Sequence, residues 1–295
     1  MLRRISVGLI FAAAALAVPM GAVAQTIVVG GKGFTEQLIV AEMTSQLLKA
    51  NGFAPDKRVG MGSAIVRQAI ESGQIDLYWD YTGTVLSLAY KNQERLSAQD
   101  AYNKVKNLDA AKGIIWLEPS QVNNTYALGM LSSRSSELGI RSLSDLAAAF
   151  KAKKSLLVAV NSEFAARPDG LPGVEKMYDF QVPLDNIKKM DFGLSFQALR
   201  DKQVDTAMVT STDGRIKEMD LIVLKDDKQF FPFYQLTPII RKPILDANPK
   251  LAGLLGGLSK KLDSPTMIRL NADVDIGRRN VEDVARDFLK SQGLL

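Results

Sequence analysis

The sequence predicts an α/β protein of two similar lobes with a ligand cleft between them, and three observations predict it. The stretch Gln68-Ala69-Ile70-Glu71-Ser72-Gly73-Gln74-Ile75-Asp76 recurs 129 positions later as Gln197-Ala198-Leu199-Arg200-Asp201-Lys202-Gln203-Val204-Asp205. Each copy reads as the end of an amphipathic helix that passes through a short polar turn into a strand. A small polar cluster follows each strand, Tyr81-Thr82-Gly83-Thr84 in one copy and Thr210-Ser211-Thr212-Asp213-Gly214 in the other. Both clusters fall at strand C-terminal ends, the edge at which open α/β sheets bind ligands. Finally, the 295-residue chain has no Pro/Gly/Ser linker and no low-complexity segment. Two lobes of ordinary size must then be joined by segments crossing between them, so the chain leaves the first lobe and returns.

The elements follow in order. Arg3 and Arg4, the apolar run Ile5 to Val18 and the small-x-small site Ala22-Val23-Ala24 read as a secretory signal peptide over 1–24, cleaved after Ala24. Thr26 to Gly30 is a β-branched strand, Gly31-Lys32-Gly33 a glycine-rich turn, and Thr35 to Ala50 a helix that stops at Asn51-Gly52. Ile65 to Ser72 is the next helix and Ile75 to Trp79 the next strand, followed by a helix over Ala98 to Lys112. Ile114 to Leu117 and Tyr126 to Met130 read as strands, the second as the first crossover.

The pattern then restarts with a helix over Ser142 to Ala152 and a strand over Leu156 to Val160. The second repeat copy places a helix over Phe196 to Asp201 and a strand over Val204 to Val209. Leu221 to Leu224 is a further strand, and Phe230 to Tyr234 is the return crossover. Helical patterns at Lys250 to Leu262, Ser264 to Asp273 and Val281 to Gln292 should pack back on the first lobe. The expected division is 25–128 for the first part of lobe 1, 129–231 for lobe 2 and 232–295 for the return segment.

Composition narrows the chemistry. The chain has neither histidine nor cysteine, which excludes a Ser-His-Asp triad, a Cys-His pair and a zinc hydrolase site. No carboxylate pair is placed at the cleft for glycoside hydrolysis, and no calcium-loop spacing occurs. Gly30-Gly31-Lys32-Gly33 fails as a phosphate loop because Gly33 stands where Ser or Thr must follow the lysine. No catalytic residue, metal or cofactor is therefore expected. The formal charge of +5 falls to +3 without the leader, with no Lys/Arg run, and gives no case for nucleic acid. Past the leader nothing approaches the ~20 apolar residues of a membrane span, and the absence of a lipid-attachable cysteine fits a free periplasmic protein.

Six motifs then become specific: Gly31 to Gln37, Asp80 to Thr84, Asn123 to Leu128, Arg167 to Gly173, Ser211 to Arg215, and Phe230-Phe231-Pro232 to Gln235. In this order, and spanning nearly the whole chain past the leader, they resemble the quaternary-amine binding proteins of osmoprotectant ABC importers, which take glycine betaine, choline, carnitine and related compounds. The resemblance implies a type II periplasmic binding fold, two α/β lobes joined by two crossover segments with the ligand in the cleft, acting as a monomer that delivers its ligand to an ABC permease in the inner membrane. It also implies a tyrosine cage for the trimethylammonium head and an arginine for the carboxylate. A quaternary ammonium has no N–H to donate, so aromatic faces hold it where hydrogen bonds cannot.

Residue by residue, the cage positions match Tyr81, Tyr126 and Tyr234, the arginine matches Arg167, and Lys32 and Thr84 match further contact positions. The fourth cage tyrosine is replaced by Thr210, which is also the repeat equivalent of Tyr81. Two bland readings stand beside these. Tyr126 sits in an apolar strand as a core tyrosine would, and Arg167 has Asp169 two residues on as an ion-pair partner. At the level of function the alternatives are another small cationic or zwitterionic solute such as an amino-acid derivative, an exported enzyme on the same fold, and a sensing module for a membrane receptor.

Overall fold

The computed structural model describes residues 25–295, and the leader expected over 1–24 lies outside the described residues. Among the described residues ten strands form two five-stranded sheets. The first has the order β2-β1-β3-β10-β4 and the second β7-β6-β8-β5-β9. These strands are β1 (Thr26–Lys32), β2 (Ala54–Met61), β3 (Leu77–Tyr81), β4 (Ile114–Trp116), β5 (Tyr126–Leu131), β6 (Val158–Val160), β7 (Ile187–Lys189), β8 (Thr206–Thr210), β9 (Leu221–Val223) and β10 (Leu236–Arg241).

The repeat is the architecture. An offset of 129 carries β3 onto β8 residue for residue, and the helix Ser63–Ser72 onto the helix Phe192–Arg200. In each sheet three strands run parallel and the next runs antiparallel to them, β10 against β3 and β5 against β8. The aspartate closing each repeat copy does the same job twice. Asp76 Oδ2 accepts the Val28 N–H at 2.9 Å and pairs with Arg241, while Asp205 Oδ2 accepts the Leu157 N–H at 2.7 Å and pairs with Arg134. Val28 and Leu157 are themselves 129 apart, so each carboxylate pins a helix-to-strand turn to the neighbouring strand of its own sheet.

Both sheets carry packed apolar side chains on their helical layers. Ile27, Leu77 and Ile240 pack with Leu48, Leu251 and Leu255 on one side of the first sheet, and Tyr78 and Trp116 pack with Val66, Ile70 and Val105 in another cluster. The second sheet buries Leu128, Met130 and Val158 with Leu146 and Phe150. The terminal helices Ser264–Asp275 and Val281–Ser291 lie on the helix Thr35–Ala50, where Met267, Leu270, Phe288 and Leu289 join Ile39, Met43 and Leu47. The end of the chain thus completes the first lobe.

Three local expectations change. Gly31 and Lys32 belong to β1 rather than to a turn, because the strand stays paired with β2 as far as Lys32. Tyr126 to Met130 is not a crossover, since all of β5 is in the second sheet and the first passage lies ahead of it, between 117 and 125. The strands β2, β7 and β10 were not anticipated. The second passage runs between 224 and 235, and the two passages meet: Asn123 bridges Gln235, Asn124 N–H donates to the Tyr234 carbonyl at 3.1 Å, and Leu236 N–H donates to the Val122 carbonyl at 3.0 Å.

Candidate ligand-binding cleft

A cavity of about 570 Å³ opens between the two lobes. Its walls come from the C-terminal ends of the strands. β1 ends at Lys32 and β3 at Tyr81 in the first sheet, and β8 ends at Thr210 in the second. Thr84 enters from the first turn of the helix Thr82–Leu88. Asn124 and Tyr234 come from the two crossing segments, and Tyr126 from the start of β5. Gly83 is what lets the return crossing close in, because a Cβ there would stand 2.7 Å from the Phe233 carbonyl oxygen.

Lys32, Tyr81, Thr84, Tyr126, Thr210 and Tyr234 all line this one cavity. Arg167 does not. It lies behind Tyr126, with its guanidinium carbon 5.2 Å from the ring centre, and Asp169 holds it through two hydrogen bonds of 2.8 and 2.5 Å. Its Nη1 has no hydrogen-bond partner and is 3.7 Å from Glu163 Oε2. Lys32 is likewise paired, its ammonium 2.6 Å from Asp80 and 4.9 Å from the centre of the Tyr81 ring.

The tyrosines are held by their hydroxyls. Tyr81 donates to Glu36 at 2.7 Å and Tyr234 donates to Asp169 at 2.7 Å. Tyr126 meets Tyr234 edge-on, with ring centres 5.3 Å apart, and sits directly opposite Thr210 across the β5–β8 ladder. Burial raises all three phenols, Tyr126 to about 12 despite the opposing pull of Arg167, and Tyr81 and Tyr234 well above the ordinary range. They are neutral donors at physiological pH. With two of the hydroxyls satisfied from behind, the ring surfaces are what those side chains have left to offer a ligand.

Sequence reasoning singled out neither Glu36 nor the carboxylates at the rim. Glu36 is 2% exposed, and its four donors come from distant parts of the chain: Tyr81, Asn124 at 3.0 Å, Thr212 at 2.6 Å and Asn271 at 3.3 Å. Burial raises its pKa against those four hydrogen bonds. The residue stood inside the quoted Gly31 to Gln37 motif, and Asn124 inside another, so the signal was present in both. Glu163, Asp191 and Asp275 also line the cavity, as does Arg215, which is paired with Asp213 at 2.6 Å. Among the described residues no group of acidic side chains is arranged to hold a metal ion. The cavity is thus lined by aromatic rings, by the carboxylates of Glu163, Asp191 and Asp275, and by the paired cations Lys32 and Arg215.

Two repeated α/β lobes hinged by two crossings, with a cleft of ligand size at their strand ends, define a solute-binding protein. The chain belongs to the family described as the substrate binding domain of ABC-type glycine betaine transport system, which matches residues 25–291. It is 42% identical to a glycine-betaine-binding protein of Pseudomonas aeruginosa, over 92% of this chain and 89% of that one. It is 32% identical to the ergothioneine transport permease/ergothioneine binding protein EgtU of Helicobacter pylori, over 97% of this chain and 51% of the longer relative. Among solved structures, a glycine betaine/carnitine/choline ABC transporter protein superposes with a TM-score of 0.71 at 28% identity, covering 91% of this chain and 99% of the other. The chain is a solute-binding subunit of an ABC importer for quaternary amines, with a small-molecule ligand and a permease as its partners.

Proposed function

We propose that this subunit binds glycine betaine, choline or a related quaternary amine in the cleft through Tyr81, Tyr126 and Tyr234, with Lys32, Thr84 and Thr210 completing the wall. The observation that carries this reading is the convergence of three tyrosines, from β3, β5 and the return crossing, on one cavity. Each desolvated aromatic contact with a quaternary ammonium contributes about 0.5 to 2 kcal/mol. Two of these rings donate their hydroxyls to carboxylates, which leaves them richer in electron density toward a cation. Arg167, which does not line the cavity, serves a ligand carboxylate through Nη1, its one nitrogen without a hydrogen bond, once ligand binding draws it forward from behind Tyr126. The protein acts without catalysis, as a periplasmic monomer released from its leader after Ala24, and hands its ligand to the inner-membrane permease.

A second reading, a bulkier amino-acid betaine, is favoured by Thr210, which leaves open the space a fourth ring would fill. The name of the Helicobacter pylori relative, an ergothioneine binding protein at 32% identity, supports this second reading. Calorimetry on residues 25–295 tests both. Affinity should fall steadily from glycine betaine through dimethylglycine to glycine as methyl groups give way to N–H bonds that aromatic faces do not satisfy. Equal binding of glycine and glycine betaine, or binding of neither any quaternary amine nor ergothioneine, overturns the cage.

A further inference from the structure

We propose that Glu163 is a closure latch, a carboxylate of the second lobe that caps a first-lobe helix only when the cleft is shut. The helix Ser63–Ser72 begins without a cap of its own: Gly62 at the N-cap has no side chain, and no acidic residue stands in the first turn. A helix start leaves backbone N–H donors unsatisfied and carries a partial positive charge. Both needs are met from the opposite lobe. Glu163, in the segment after β6, accepts the Ser63 backbone N–H at 2.6 Å and the Ser63 hydroxyl at 2.9 Å. Ser63 is only 6% exposed, while the Glu163 side chain, at 36%, stands at the open side of the contact. These bonds are lost if the lobes separate, because one partner opens a helix of the first lobe and the other follows β6 of the second.

The same carboxylate faces Arg167 Nη1 at 3.7 Å, which places it between the guanidinium of its own lobe and the helix terminus of the other. Charge-assisted hydrogen bonds are stronger than neutral ones, and these exist in one of two global states. They therefore weight the closed state with or without ligand. Apparent affinity scales with the population of the binding-competent state, so the latch raises affinity through that population, apart from any contact Glu163 makes with a ligand from its place in the cavity lining. This inference rests on the ligand reading above only for its affinity measurement.

Small-angle scattering of the empty protein and calorimetry with glycine betaine and with choline test it on the chain 25–295. Glu163→Ala should expand the empty protein and weaken both ligands alike, by about tenfold. Glu163→Gln, which can still accept the Ser63 N–H, should recover part of the loss. Ser63→Ala should weaken binding in the wild-type background and add nothing once Glu163 is alanine. Unchanged scattering and affinity in Glu163→Ala overturn the latch. So does a loss confined to one of the two ligands, which marks a direct ligand contact, or a Ser63→Ala effect that adds fully to Glu163→Ala. If the wild type binds neither probe, the ligand reading fails, and the scattering comparison of empty proteins still decides the latch.

Discussion

Thr210 is the residue at which the two lobes differ most consequentially. It ends β8 as Tyr81 ends β3, lines the same cavity, and lies opposite Tyr126 on the neighbouring strand. A tyrosine there would extend from a half-buried strand end into open space beside an existing ring. Thr210→Tyr should therefore tighten glycine betaine binding by about 0.5 to 2 kcal/mol, the worth of one further aromatic contact, as measured by calorimetry; a loss of affinity would show that the space belongs to the ligand. The strand ends that carry Tyr81 and Thr210 were legible because a repeat and a polar cluster coincide there. The pairing of Arg167 with Asp169 was visible as one of two readings of a four-residue turn. Glu163 and Ser63 were not legible at all, because their contact depends on how two lobes meet and leaves no local pattern.

Among the elements, the repeat exposes a fault in its own second copy. Gly73 follows the helix Ser63–Ser72 with φ of 79°, and its equivalent Lys202 follows the helix Phe192–Arg200 with φ of 55°. The left-handed region costs an L-residue roughly 1 to 2 kcal/mol and glycine almost nothing, though glycine loses more freedom on folding. Lys202→Gly should accordingly stabilise the protein by up to about 1 kcal/mol in urea unfolding, with ligand affinity unchanged; destabilisation would show that the lysine side chain compensates the strain. Strong periodicity made the long helices legible, and Asn51-Gly52 marked the end of Thr35–Ala50 correctly. Three strands escaped: β7, Ile187–Lys189, is three residues long and too short to show a period, and the other two were missed for opposite reasons. β2 is a solvent-facing edge strand, Ala54–Met61, whose polar sequence shows no alternation because only one neighbour holds it. β10 is central, but Pro238 interrupts it, and proline argues against a central strand in any reading of sequence alone.

For the whole molecule, the fold class, the two crossings and the cleft at the strand ends followed from duplication, since a repeated half-site implies a shared site. What duplication did not disclose is that the halves are finished differently. All five strands of the second sheet lie between Tyr126 and Val223 without interruption. The first sheet lacks its central antiparallel strand until Leu236–Arg241 is present, and β4 pairs with no strand except β10. A fragment of residues 124–231 should therefore fold cooperatively alone, whereas 25–123 should show neither a cooperative transition nor protected strand amides until a peptide covering 232–295 is added; circular dichroism and hydrogen exchange on the fragments check both. The order of synthesis and the order of completion are consequently opposed. As the chain emerges from N- to C-terminus, the first lobe waits as an open-edged sheet while the second can already be whole, and the return segment 232–295 decides when the first lobe becomes native.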